Sequence, residues 1–150
     1  MRYEKLVRDG AIERIHTSDG EIADHIRKAR HDISVAQNVK NIDLDWAFTI
    51  AYNGILQVAL GFMNSKGYRP KGEAKHYNTF RFLQESLPAS YSNQIARLQN
   101  LRRKRNRAVY HQMDSVTETE AKDIILFSAR FLEEISEMMP EKIIKQSRES

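Results

Sequence analysis

Apolar residues recur along most of the chain at intervals of three and four, which is the period of an α-helix rather than of a β-strand. The clearest stretch is residues 20–39, whose apolar positions are four, three, four and three residues apart: Ile22, Ile26, Ala29, Ile33 and Ala36. Alternation of β-branched and polar residues is almost missing, and prolines and glycines are few. The predicted fold class is therefore all-α, an up-and-down helical bundle of four to five main helices with a short N-terminal helix.

Residues that typically begin or end a helix bound the other predicted helices. The most apolar segment, residues 46–66, follows Asp43 and Asp45, either of which can cap it, and stops at Gly67. It is apolar around most of its circumference, so we expect it to be the buried central helix. The remaining helices are predicted over residues 3–15 with a weak point at Gly10, over 75–87, from Ser90 or Ser92 to about 113, and from a capping box of Thr117 and Glu120 to just before Pro140.

No repeat, low-complexity tract or shift in composition marks a boundary between domains. We expect one helical domain over residues 1–150, a length that can close a single hydrophobic core. Residues 1–19 are interpreted as an N-terminal extension, and residues 141–150 as a polar tail that is frayed or disordered.

Composition narrows the chemistry and the compartment. The chain has no cysteine, which excludes thiol catalysis, disulfides and thiolate zinc sites and fits a reducing cytoplasm. Polar residues and glycines interrupt the most apolar stretch, so no run is expected to reach the roughly 18 residues of a membrane span. The N-terminus, MRYEKLVRDG, is too charged for a signal peptide. We expect a soluble, cytoplasmic protein that does not associate with a membrane.

The net charge of +4 is concentrated in one segment. Residues 86–113 contain six basic residues and no acidic one, so this segment accounts for more than the whole excess. Such a concentration is typical of a surface that binds phosphate, most often that of nucleic acid, but a solvated helix face has the same composition.

Arg105 lies on the apolar face of its helix, where a solvated basic face would not place an arginine. On a helical wheel at about 100° per residue it falls within about 20° of the centre of the apolar face. That face comprises Ile95, Leu98, Leu101, Ala108 and Val109. A guanidinium does not release its proton, so it needs a partner, a water-filled cleft or an interface there. Two explanations stay open: a structural ion pair with an acid such as Asp24 or Asp32, or a contact to a phosphate.

Three residues near Arg105 are candidates to act with it. Asn106 and Tyr110 share one flank of the apolar face, and His111 lies on the other flank, where it can also serve as a partner for the helix dipole. The other histidines are not paired at i, i+4, and no HExxH, Walker or GxGxxG motif occurs. Any chemistry is expected to be metal-free, with no cofactor.

The stretch R-N-R-A-V-Y-H resembles the motif of the HEPN superfamily (higher eukaryotes and prokaryotes nucleotide-binding domains). That motif is an arginine, often followed by asparagine, then four to six residues and a histidine, which Arg105, Asn106 and His111 match. The stretch D-W-A-F-T-I-A-Y-N-G-I-L-Q-V-A-L-G-F-M-N-S-K-G-Y-R-P, followed by K-H-Y-N-T-F-R-F-L, resembles the family's central helix, turn and next helix. The resemblance covers roughly residues 20–139.

The resemblance implies a function and a mechanism. Many members are metal-independent endoribonucleases that act as dimers, often as toxins paired with a nucleotidyltransferase-type antitoxin. By that resemblance His111 would act as general base or acid, Arg105 would stabilise charge on the phosphate, and Asn106 would orient one of them. The expected product is a 2′,3′-cyclic phosphate, and a homodimer would let Arg105 meet the partner's motif histidine. The residues expected to hold RNA backbone are Arg102, Arg103, Lys104 and Arg107.

An alternative follows from Tyr110. A subfamily similar to this chain has arginine, asparagine, three residues and then tyrosine, and Tyr110 fills that place. If Tyr110 ends the motif, the resemblance implies a non-catalytic RNA- or nucleotide-binding module, or the partner subunit of a minimal nucleotidyltransferase. A subunit whose basic face docks an acidic partner is a third reading.

Overall fold

The computed structural model describes residues 2–110 and 113–149. Most of them are helical, which confirms the all-α bundle. The main helices are α2 (Asp19–Val39), α3 (Leu44–Ser65), α4 (Lys75–Ser86), α5 (Ser92–Tyr110) and α6 (Glu118–Ser136). The shorter elements are α1 (Glu4–Arg8), strand β1 (Ile12–Arg14), strand β2 (Tyr68–Pro70), a 3₁₀ turn at Ala89–Tyr91 and α7 (Glu141–Ser147).

Helix α3 is the centre of the bundle, as predicted. Asp43 begins it by accepting a hydrogen bond from the Trp46 backbone N–H at 3.0 Å, and the chain leaves it through Gly67 at φ 89°. It contacts α2, α4, α5 and α6. By length and composition α3 could cross a membrane, so the prediction that no segment reaches that length is wrong. Most of its apolar window is buried in the protein, as is typical of a core helix.

Two glycines let α2 lie close against α3. A Cβ atom at Gly54 would lie 3.0 Å from Ile33 Cγ1, and one at Gly61 would lie 3.1 Å from Ile26 Cδ1. Both distances are tighter than most Cβ contacts in proteins, so a larger residue would require the isoleucines of α2 to move. The two glycines that interrupt the apolar run of α3 in the sequence thus allow α2 to pack closely on it.

The N-terminal segment differs from the single helix predicted over residues 3–15. Helix α1 ends at Arg8, Gly10 turns the chain at φ 72°, and Ile12–Arg14 forms β1. β1 pairs with β2 in antiparallel fashion, Ile12 opposite Pro70. Ala11 and Ile12 are buried and fit either element, and pairing with β2 decides for the strand.

The C-terminal segment is also different, because the prediction of a frayed or disordered tail is wrong. Residues Glu141–Ser147 form α7, which packs on α2 and buries Ile143 and Ile144. Two arginines of α2 hold its last turn: Arg27 Nη2 donates to the Gln146 carbonyl at 2.9 Å, and Arg30 Nη1 to the Ser147 carbonyl at 3.0 Å. Positive charge at a helix C-terminus is stabilising.

The Asp45 side chain fixes residues 114–116, in the connector between α5 and α6, to the bundle. The Asp45 carboxylate of α3 accepts from the Asp114 backbone N–H at 2.7 Å and from the Val116 N–H at 3.1 Å. Asp45, one of the two predicted caps of α3, therefore holds this connector, while Asp43 caps the helix.

The capping box predicted at the start of α6 is confirmed, with Thr117 and Glu120 bonding each other's backbone N–H. We expect Thr117→Ala to lower the free energy of unfolding by about 1 kcal/mol, because it leaves one N–H of the first turn without its acceptor. Urea denaturation measures this difference. The matched control is Thr119→Ala in the same exposed turn, expected to change stability by less than about 0.5 kcal/mol. Equal losses in both variants would contradict the role of the cap.

Candidate functional site

Helix α5 brings Arg105, Asn106 and Tyr110 together near its C-terminal end. The Arg105 guanidinium carbon lies 5.7 Å from the centre of the Tyr52 ring on α3 and 5.8 Å from that of Tyr110. Its Nη1 donates to Asn106 Oδ1 at 3.2 Å. The position of Arg105 facing the bundle, inferred from the helical wheel, is what the structure shows, and aromatic rings cover part of its charge.

Neither acid considered as a structural partner pairs with Arg105. Asp24 pairs with Arg27, and the buried Asp32 accepts from Lys28 Nζ at 2.9 Å and from Asn53 Nδ2 at 2.7 Å. Within residues 2–110 and 113–149, no carboxylate lies within 4.0 Å of the Arg105 guanidinium. Its Nε is buried and finds no hydrogen-bond partner in the same ranges. The guanidinium therefore keeps donor capacity for a ligand.

Two cavities meet at Arg105 and His76. The inner cavity, about 280 Å³, lies between α2, α3, α4 and α5, and the outer one, about 500 Å³, lies between the start of α4 and the end of α5. The inner cavity is lined by Lys28, Asp32, Thr49, Ile50, Tyr52, Asn53, His76 and Arg105. The outer cavity is lined by Glu73, Ala74, Lys75, His76, Tyr77, Arg102, Arg105, Asn106 and Tyr110.

The outer cavity has the electrostatics of an anion site. Three cations line it, Lys75, Arg102 and Arg105, and Glu73 is the single acid among its lining residues. The first turn of α4 forms one wall, and Ala74, its cap residue, supplies no side-chain acceptor. Positive side chains and a helix N-terminus both favour a negative ligand.

His76 is the site residue that sequence reasoning missed. The ring is half-buried, and its Nδ1 lies 3.1 Å from the Tyr52 hydroxyl oxygen. Burial lowers the pKa of His76, and the charges of Arg105 and Arg102 lower it further. Burial also raises the pKa of Tyr52, whose hydroxyl therefore keeps its proton. No spacing in the sequence relates His76 to Arg105, because α4 and α5 bring them together only by packing.

The basic residues predicted to hold RNA divide into two groups. Arg102 lines the outer cavity with its guanidinium 5.4 Å from the Tyr77 ring, and Arg103 and Arg107 are exposed. Lys104 is different: its Nζ donates to the Ser115 carbonyl at 2.7 Å and lies 3.4 Å from the Glu120 carboxylate. Its charge is thus used to hold the connector before α6.

The groups around the Glu120 carboxylate lower its pKa. Its pKa is lowered first by the hydrogen bond from the Thr117 backbone N–H and then by the charge of Lys104.

His111, the predicted motif histidine, lies outside the described residues. Tyr110, the other residue that could end the motif, is the last residue of α5, and its side chain is exposed beside Arg105. Among the described residues, no group of three or more His, Asp and Glu side chains is arranged to hold a metal ion.

A bundle of five main helices, with a cation-lined cavity at Arg105 of α5, defines a small all-α domain whose cavity favours a negative ligand. The HEPN domain family model matches residues 22–139, which is most of the chain, and the protein belongs to this family. No curated protein matches the chain.

Proposed function

We propose that this HEPN-domain protein is a metal-independent endoribonuclease that acts on single-stranded RNA in the cytoplasm. The observation that carries this proposal is the environment of Arg105. Its guanidinium faces two cavities without a carboxylate partner among the described residues, and other cations surround one of them. A phosphodiester supplies the missing negative charge and two acceptor oxygens for the guanidinium.

The proposed reaction needs only the groups of RNA and of the protein. The 2′-oxygen forms a bond to phosphorus while the bond from phosphorus to the 5′-oxygen breaks. His111 takes the proton of the 2′-hydroxyl while water supplies one to the leaving 5′-oxygen, or His111 supplies that proton while water takes the first. Arg105 stabilises the charge on the phosphoryl oxygens, and Asn106 orients Arg105 through their hydrogen bond. The products are a 2′,3′-cyclic phosphate and a 5′-hydroxyl.

The basic face of α5 supports binding of the RNA backbone on either side of that phosphate. Arg102 lines the outer cavity, and Arg103 and Arg107 are exposed on α5 outside it, so all three are available for phosphate contacts. Lys104 is the exception, because it is engaged with Ser115 and Glu120.

We further propose that the protein is a homodimer and the toxin of a toxin–antitoxin pair whose antitoxin is a nucleotidyltransferase. An exposed apolar surface beside the site supports the dimer. Trp46, Val109, Tyr110 and Met113 line a groove of about 320 Å³ between α3 and α5, and Trp46 is 61% exposed. Exposed apolar residues gathered in one place typically mark an interface.

The contact between Arg105 and Tyr110 favours a second candidate function. A tyrosine ring beside the arginine can stack with a base while the guanidinium holds the phosphate, which describes a non-catalytic RNA- or nucleotide-binding module. Such a module would also serve as the partner subunit of a nucleotidyltransferase.

Incubation of single-stranded RNA with the purified protein in EDTA separates the two candidates. We expect cleavage with cyclic phosphate ends, and a loss of about 10² to 10⁴ in rate for His111→Ala. His31→Ala, an exposed histidine of α2, is the control and should cut like wild type. Unchanged cleavage by His111→Ala would refute the assignment of that residue. Binding that weakens with salt but produces no cleavage would favour the non-catalytic module.

A further inference from the structure

His76 and Arg105 reach the same space from different helices. His76 lies in the first turn of α4 and Arg105 near the end of α5, and both line the inner and the outer cavity. A ligand in either cavity therefore meets an imidazole on one side and a guanidinium on the other. The site needs no second protein copy for this pair.

The Tyr52 hydroxyl determines which nitrogen of His76 is available. It lies against Nδ1, and no described residue hydrogen-bonds to Nε2. The two rings are 5.7 Å apart with an interplanar angle of 36°, so Tyr52 also supports the imidazole from the side. Tyr52 is almost fully buried and cannot move away at low cost. Nε2 is thus the nitrogen through which His76 can bind a ligand.

The charged groups around His76 come from α2, from α5 and from the start of α4, while α3 contributes the Tyr52 hydroxyl. Arg105 and Arg102 face it from α5, Lys75 and Glu73 from the start of α4, and Lys28 and Asp32 from α2. Lys28 and Asp32 pair with each other, so their charges largely cancel. Burial first, and then the charges of Arg105 and Arg102, disfavour an imidazolium in the empty site and lower the pKa of His76.

We propose that His76 is the second ligand of the phosphate group that Arg105 binds, with Tyr52 as the residue that positions its ring. This inference rests on the proposed phosphate site and adds a ligand within the same chain. The ligand class is a phosphate ester, here the phosphodiester of single-stranded RNA.

Proton uptake follows from the placement of these charges. A bound phosphate adds negative charge beside the imidazole and offsets Arg105 and Arg102, so the pKa of His76 rises on binding. By linkage, affinity is greatest below the pKa of the empty site and falls as the pH rises through the pKa of the complex. A rise of about one unit in pKa corresponds to a roughly tenfold change in affinity.

The test measures binding of a 2′-O-methyl RNA oligonucleotide, which lacks the nucleophile for cleavage, by fluorescence anisotropy. The lower pH is about 5, well below the ordinary histidine pKa because the pKa of His76 is lowered, and the higher pH is about 8. We expect wild type to bind about tenfold more tightly at the lower pH. His76→Gln should lose most of that difference, because a glutamine amide can donate to the phosphate but cannot take up a proton. Arg105→Ala should bind more weakly at both. His16→Gln, an exposed histidine outside both cavities, is the control and should keep the wild-type difference.

Two results overturn different claims. If His76→Gln keeps the full pH difference while Arg105→Ala binds weakly, His76 is not a ligand, although the proposed function stands. If wild type binds no RNA, the proposed function fails, and the imidazole NMR resonances of the wild-type protein are then titrated with and without inorganic phosphate. A raised pKa of His76, assigned by comparison with His76→Gln, would support the two-residue phosphate site alone, and an unchanged pKa would overturn it as well.

Discussion

Replacing Arg105 with alanine is expected to lower the rate of RNA cleavage in EDTA by about 10² to 10³, because the phosphoryl oxygens lose the donor that stabilises their charge. Arg105→Lys should recover little of this rate. An ammonium keeps the positive charge but not the planar fork that gives two parallel hydrogen bonds to phosphate. Single-turnover kinetics with a labelled oligonucleotide measure the loss in the chemical step.

The control for Arg105 is another arginine of the same helix. Arg103 is exposed, and its Nη1 donates to Asn100 at 2.8 Å, so Arg103→Ala removes the same charge outside both cavities. We expect a loss of less than about threefold, mainly through weaker binding at low salt. Circular dichroism and thermal melting establish that each variant is folded. Equal losses for Arg103→Ala and Arg105→Ala would show that overall charge, and not a specific phosphate site, governs the reaction.

The second large effect is expected in α7. Ile143 is 2% exposed between α7 and the bundle, so Ile143→Asp should lower the free energy of unfolding by about 3 kcal/mol. The loss in free energy of unfolding has an upper limit. If burial of the carboxylate costs more than the packing of α7 on α2 contributes, α7 detaches and the carboxylate stays in water. For a protein of this size the melting temperature should fall by about 6 to 12 °C.

Lys145→Asp is the matched control in α7. Lys145 is exposed near the end of the helix, and this substitution should cost less than about 1 kcal/mol through the helix dipole. If Ile143→Asp melts at the wild-type temperature, the packing of α7 on α2 contributes nothing to stability.

The main helices could be predicted because their signals are local. The apolar residues of α2 keep the helical period, and Asp43 and Thr117 cap α3 and α6 within three residues of their partners. The predictions were wrong where contacts with distant segments determine the secondary structure. β1 forms because β2 pairs with it from more than fifty residues away. In α7 the two adjacent isoleucines show no helical period, and their partner is α2.

In the candidate site too, the residues with local signals could be predicted and those that depend on distant contacts could not. Arg105 could be identified because its place on the wheel depends only on α5. Lys104 gave no such signal, since the Ser115 carbonyl and the Glu120 carboxylate that hold it come from beyond the helix. The place of His76 in the site depends on the packing of α4 against α5 and on the Tyr52 hydroxyl of α3. It could therefore not be predicted from the sequence.

The hydrogen bonds from Asp114 and Val116 to the Asp45 carboxylate limit where this protein can accept insertions. Loops usually accept insertions and deletions, because few of their backbone groups have fixed partners. Here one carboxylate accepts both the Asp114 and the Val116 N–H, which sets the number of residues between them. An added residue between them would displace one of these amides from Asp45. Evolutionary lengthening, fluorescent insertions and affinity tags are better suited to other turns of this bundle.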